Sequence, residues 1–221
     1  MASPQAQPSR RAPRNNRATA VHLRLRSKIV SGHFPQGSAL AEPVLAEHFQ
    51  TSRAPVREAL IALEREGLVT FEKTGRTRVR TIGAKDLREI MEARAALESM
   101  AAGLANRNWT AADTEFVAKN IDAQEKARSL NELSRLDIDL HHYVVTCSGN
   151  LRLLQLWEPL RWQWEAHLAE IYRRQKGDHF IPEKETIKAH QHLLKALAEG
   201  TPAEASEAMM HHILFNLRWA K

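Results

Sequence analysis

Four residues far apart in the chain, Asp137, His141, His190 and His212, are of the types that hold a divalent metal, and their spacing permits it. Asp137 and His141 stand at i, i+4 and share one helix face. His190 lies on the apolar stripe of its segment with Leu193, Leu194 and Leu197, and His212 shares a face with Ala205 and Met209. One carboxylate and three imidazoles converging from three helices would suit Zn²⁺, Ni²⁺, Mn²⁺ or Fe²⁺ and leave coordination positions open. The neighbouring His142, His192 and His211 test the register: about 100–200° further around their helices, they should point elsewhere.

A second constellation lies in the first third. In SRAPVREALIALEREGL, residues 52–68, Ser52 is placed to cap a helix and Pro55 sits in its first turn. Arg53 and Arg57 follow at i, i+4, with Val56, Leu60 and Leu63 on a neighbouring apolar face. A guanidinium grips guanine O6 and N7 with two hydrogen bonds, about 1–3 kcal/mol of discrimination per good pair. Amides at the helix start would accept a phosphate. Gly75, Arg76 and Arg78 fall at the tip of a basic hairpin that could follow a groove or backbone.

These residues need elements to position them. Val21, Leu25 and Ile29 predict a helix over about 19–31 ended by Gly32, and Pro43, Leu45, Ala46 and Phe49 a second. The arginine-bearing helix is the third, and 68–71 and 77–81 are β-prone runs around Gly75. Three helices and a hairpin make a winged helix-turn-helix. Beyond residue 82 helical patterns run about 85–107, 110–129, 132–147, 150–175, 183–199 and 202–219, with starts marked by Thr110 and Asp113 and by Thr201-Pro202-Ala-Glu204. The expected fold is therefore mainly α: a basic arm over 1–17, a winged helix-turn-helix over 18–81, and an all-α bundle of about six helices over 82–221.

Composition agrees with this division. Of the 221 residues, those up to Thr81 carry 14 Lys and Arg against 6 Asp and Glu, while the remainder carry 18 against 20. A basic module joined to a nearly neutral one suits a polyanion-binding unit carried by a sensing or dimerising unit. The single cysteine, Cys147, cannot form an internal disulfide, fits a reducing cytoplasm, and is expected to be a buried small hydrophobe. Trp157, Trp162 and Trp164 are expected in a core or an interface. No apolar run approaches the roughly 18 residues of a membrane span.

The segment from residue 40 to 79 resembles the DNA-binding domain of GntR-type bacterial regulators: Glu42, Leu45, Ala46, Ser52, Arg53, Pro55, Val56, Arg57, Glu58, Ala59, Leu60, Leu63, Glu66, Gly67, Leu68 and Val69 match its pattern. Thr51 replaces the usual valine, and the wing from Gly75 to Val79 is one residue longer than the commonest spacing. Met91 to Glu98, the run LDIDLHHYVVTCSGN and the run from His190 to His212 resemble the FCD effector domain of the FadR-like branch. The resemblance covers about 20–219. It implies a cytoplasmic, homodimeric transcription regulator, not an enzyme, reading a palindromic operator of double-stranded DNA. It implies Asp137, His141, His190 and His212 as metal ligands, zinc foremost, and a small carboxylate effector contacted by Arg94 and Asn150. Two other readings stand beside it: a metal sensor with no organic effector, and a metal-dependent hydrolase, which would leave the DNA-binding module without a role.

Overall fold

The computed structural model describes residues 14–174 and 184–215. Its first unit is built from α1 (Arg14–Val30), α2 (Glu42–His48), α3 (Arg53–Arg65), β1 (Val69–Phe71) and β2 (Thr77–Val79). The basic arm expected over 1–17 lies outside the described residues as far as position 13, and Arg14 and Arg17 belong to α1 instead. Val21, Leu25 and Ile29 place one face of α1 against Val56, Ala59, Leu60 and Leu63 of α3. Leu25, Leu60 and Leu63 are completely buried, each contributing about 1.5–3 kcal/mol.

The expected turns form, with one difference. Ser52 occupies the N-cap position of α3 with extended backbone, but its side chain makes no capping bond. Gly67 ends the helix at φ 73°, and Gly75 sits in the wing turn at φ 77°, left-handed conformations that glycine adopts without a Cβ clash. β1 and β2 pair antiparallel in the register Val69↔Val79, Thr70↔Arg78, Phe71↔Thr77.

The second unit packs α4 (Ala84–Asn106), α5 (Ala111–Glu125), α6 (Leu130–Cys147), α7 (Leu151–Arg174), α8 (Lys184–Glu199) and α9 (Pro202–Phe215) around its own core, in which Met91, Leu140, Leu193, Leu197, Met209 and Ile213 are fully buried. The starts marked in the sequence are capped as expected. Asp113 N donates to Thr110 Oγ1 at 3.3 Å and Thr110 N to Asp113 Oδ2 at 2.8 Å. Thr201 and Glu204 repeat the exchange at 3.3 and 2.6 Å.

Two contacts fix how α4 meets its partners. A Cβ added to Gly103 would stand 2.9 Å from the Pro202 carbonyl oxygen, so α4 and the start of α9 cross backbone to backbone. Asn106 Nδ2 donates to the carbonyls of Leu197 at 3.0 Å and Gly200 at 2.9 Å, serving the open C-terminal end of α8. α4 is thereby held against α8 and α9, the helices that bear His190 and His212.

Candidate metal centre and nucleic-acid interface

The four residues singled out by spacing do meet. Asp137 and His141 come from α6, His190 from α8 and His212 from α9, and one ligand atom of each lies within 4.8 Å of all the others. His141 Nε2 and His190 Nε2 each approach His212 Nε2 to 3.1 Å. Asp137 Oδ1 lies 3.1 Å from His190 Nε2 and 3.8 Å from His141 Nε2. The three imidazoles are buried, whereas the Asp137 side chain keeps 16% of its surface exposed.

This donor set fits a small cation. With metal–ligand bonds of about 2.0–2.2 Å, neighbouring donors stand roughly 3.0–3.6 Å apart. His212 Nε2 faces two other ring nitrogens, and its one proton or one lone pair cannot serve both contacts at once. A cation among them removes that conflict. Burial, then the charges of His190 and His141, push the His212 pKa well below its ordinary value, which keeps its ring neutral and able to ligate. Burial would raise the Asp137 carboxyl, but the hydrogen bond to His190 and the charges of His141 and His190 outweigh it and hold the group ionised.

Behind the cluster lies a carboxylate that the sequence reasoning did not pick out. Glu98, on α4 and fully buried, accepts from His141 Nδ1 through Oε2 at 2.5 Å. Its Oε1 accepts from Arg94 Nε at 2.7 Å and from Trp157 Nε1 at 2.7 Å. Burial alone would raise the Glu98 pKa; Arg94 and His141 reverse this and hold it down to about 2. An ionised Glu98 fixes the His141 proton on Nδ1 and leaves the Nε2 lone pair facing the cluster. The available signal was Glu98 itself, four residues after Arg94 in the segment matched to the effector domain.

The remaining site expectations divide. Arg94, expected to contact an effector, pairs instead with Glu98 within the core, and its Nη1 also donates to Met91 Sδ at 3.9 Å. Asn150 is exposed and caps α7, its Oδ1 accepting from the amides of Arg152 at 3.0 Å and Leu153 at 3.2 Å, so it is not brought to the cluster. His192 and His211 are exposed, and the half-buried His142 stacks on Trp157. Cys147 is only half-buried, with Sγ 3.8 Å from Asp113 Oδ1, a correction to the buried hydrophobe expected there.

In the first unit, Arg53 and Arg57 both project from the N-terminal turns of α3 into solvent, and Pro55 is buried beneath them. Arg57 is oriented by a two-pronged pair with Glu42, Nε to Oε1 at 2.8 Å and Nη2 to Oε2 at 3.0 Å. In the wing, Gly75 and Arg76 are exposed at the turn. Arg78 is not at the tip: it lies within β2, and its guanidinium holds Glu72 Oε1 at 2.7 Å and the Gly37 carbonyl at 2.9 Å. Arg76 is thus exposed to solvent at the wing turn, and Arg78 is a brace.

A basic winged helix joined to a helical bundle is the architecture of a DNA-binding regulator with a separate helical domain. Comparison with known proteins agrees. Residues 17–79 match the "Bacterial regulatory proteins, gntR family" and residues 89–215 match the FCD domain, so the chain belongs to the GntR family and carries an FCD effector-binding domain. It is a DNA-binding transcriptional regulator. It is 29% identical over 208 residues to the "Probable D-xylose utilization operon transcriptional repressor" of Paenarthrobacter nicotinovorans, covering 93% of this chain and 89% of that one. It is 28% identical over 197 residues to the HTH-type transcriptional repressor GlaR of Escherichia coli, covering 86% and 89%. Among solved structures, E. coli McbR/YncC shares the fold with a TM-score of 0.77 at 22% identity, over 92% of this chain and 96% of that one. No helix among the described residues is long and apolar enough to cross a membrane.

Proposed function

We propose that this regulator is a cytoplasmic, metal-containing repressor whose affinity for DNA is set by a small carboxylate bound beside the metal. The observation that carries the reading is the convergence of His141, His190 and His212 Nε2 with Asp137 Oδ1. These four residues would hold the ion, Zn²⁺ foremost, with Ni²⁺, Mn²⁺ and Fe²⁺ as alternatives. Bound there, the metal supplies a Lewis-acidic anchor for an effector carboxylate. Glu98 orients His141, and Arg94 acts through Glu98 rather than on the effector directly.

In this reading two copies bind a palindromic operator, each presenting α3 to a major groove with Arg53 and Arg57 at base edges, the amides near Ser52 at a phosphate and Arg76 on the backbone. Met100 on α4 and Leu151 and Leu156 on α7 are exposed apolar residues suited to a homodimer contact. Regulation requires the effector to bind the two dimer conformations unequally.

Metal content of the purified protein, followed by DNA-affinity measurements with Zn²⁺ and a panel of small organic acids added separately and together, tests the proposal. Near-stoichiometric metal, lost in His190→Ala and His212→Ala, with an acid-dependent change in DNA affinity supports it. A response to Zn²⁺ alone favours the pure metal sensor, and metal-free protein with unchanged acid response sinks the metal reading.

A further inference from the structure

Helix α7 belongs to both units. Trp157 and Trp164, seven residues apart, face the second unit, where Trp157 Nε1 donates to Glu98 and the Trp164 ring lies 5.5 Å from the Arg94 guanidinium carbon. Trp162 and Ala166 stand about 160–200° around the same helix from Trp164, at 100° per residue. They pack into the other core, with α1 and α3. Trp162 is covered by the Arg26 guanidinium at 4.0 Å, and Arg26 Nη1 donates to Glu66 Oε1 at 3.1 Å. Glu66 Oε1 also meets His22 Nε2 at 2.9 Å, so α1 holds the residue that ends α3.

Gln163 completes the connection. Its Nε2 donates to the Glu66 backbone carbonyl at 3.1 Å, one of the open carbonyls at the C-terminal end of α3. Gly67 leaves the space for it: a Cβ there would stand 2.5 Å from Gln163 Nε2. Pro159, between Trp157 and Trp162, removes one intrahelical hydrogen bond from α7.

We infer that Gln163 is a positioning residue for DNA reading: with Trp162 it fixes the end of the arginine-bearing helix to α7, so that the state of the Glu98 network on the other face of α7 reaches α3. The docking stands on these contacts alone; that the network responds to a metal rests on the proposed function above.

Hydrogen exchange on the full chain, with Zn²⁺ as the probe, tests it. Gln163→Glu keeps the side-chain shape but replaces the donor with an acceptor facing a carbonyl, and Gln163→Ala removes both. Without metal, both variants should exchange about fivefold faster or more at the last turn of α3 and the facing turns of α1, the loss of one hydrogen bond of about 1 kcal/mol. Unchanged rates there overturn the docking role. With Zn²⁺, the wild type should slow in α6, α8, α9 and also at the end of α3, while the variants slow only in α6, α8 and α9. A slowing at α3 equal in wild type and variants, or absent from a wild type that slows in the bundle, overturns the transmission. If α6, α8 and α9 do not respond in the wild type, the metal reading fails instead, and the metal-free comparison still decides whether Gln163 docks the helix.

Discussion

Glu98 and His141 meet in a hydrogen bond closed to solvent, and everything else at the centre is arranged around that pair. The carboxylate receives Arg94 and Trp157 on one oxygen and the imidazole on the other, so a group that burial would neutralise stays ionised. A positive side chain, a negative one and an imidazole thus alternate in a chain running from α4 to the middle of the bundle.

Glu98→Gln should be far more damaging than its size suggests. It leaves Arg94 buried without its counter-charge and changes the acceptor that holds His141, a loss of about 3–5 kcal/mol in urea unfolding at neutral pH. Zinc affinity should fall by about 10–100-fold because the His141 ring is no longer held in one tautomer. A variant with wild-type stability and affinity would show that the carboxylate is a bystander.

The same pair gives a pH signature. The Glu98 pKa is lowered in the folded state from 4.5 to about 2, so its contribution to stability is complete above about 4.5 and is lost as pH falls towards about 2. Urea unfolding measured across that interval should show this loss in the wild type, and Glu98→Gln should lack that component of the slope.

Zinc should stabilise the folded chain, by about 4 kcal/mol when free metal exceeds its dissociation constant a thousandfold. A chelator should reverse the rise in Tm. His212→Ala should abolish the effect while His142→Ala preserves it, since His142 stacks on Trp157 and not at the cluster.

On the DNA side, Arg53→Ala should remove sequence preference, with about 1–3 kcal/mol lost on the preferred site, and leave the bundle folded. Glu42→Ala should weaken the same binding by a smaller amount, because Arg57 keeps its charge but loses the partner that aims it. Selection of preferred duplexes from a random pool, followed by titration of both variants, separates the two.

The wing arginines should behave differently from each other. Arg76→Ala should lower the salt dependence of DNA binding by about one phosphate contact with little change in folding. Arg78→Ala should instead loosen the hairpin, visible as faster amide exchange across 69–79, because Arg78 braces Glu72 and Gly37.

Much of this architecture was legible in the residues because it is local. Thr110 with Asp113, Thr201 with Glu204, and the glycines at 32, 67 and 75 end or begin elements by short-range chemistry, so the expected helix boundaries that lie among the described residues fall within a few residues of those found, while those at 175, 183 and 219 lie outside the described residues. The histidine register was legible for the same reason: one residue along a helix turns a side chain by about 100°, and the wrong neighbours point away. What could not be read is what depends on which helix lies opposite. Arg94 and Glu98 at i, i+4 look alike whether on a surface or in a core, and only the arrival of His141 and Trp157 from other helices makes their pair a support for the centre. Asn150 shows the converse: the resemblance implied an effector contact there, whereas its side chain is taken up by the free amides of the next helix.

The crossing at Gly103 has a consequence of its own. At that point the helix bearing Glu98 and the one bearing His212 approach so closely that a Cβ on residue 103 would meet both the Ser206 hydroxyl and the Pro202 carbonyl. A side chain added at position 103 would therefore have to push α4 away from the start of α9, and Glu98 away from His212, without touching the centre itself.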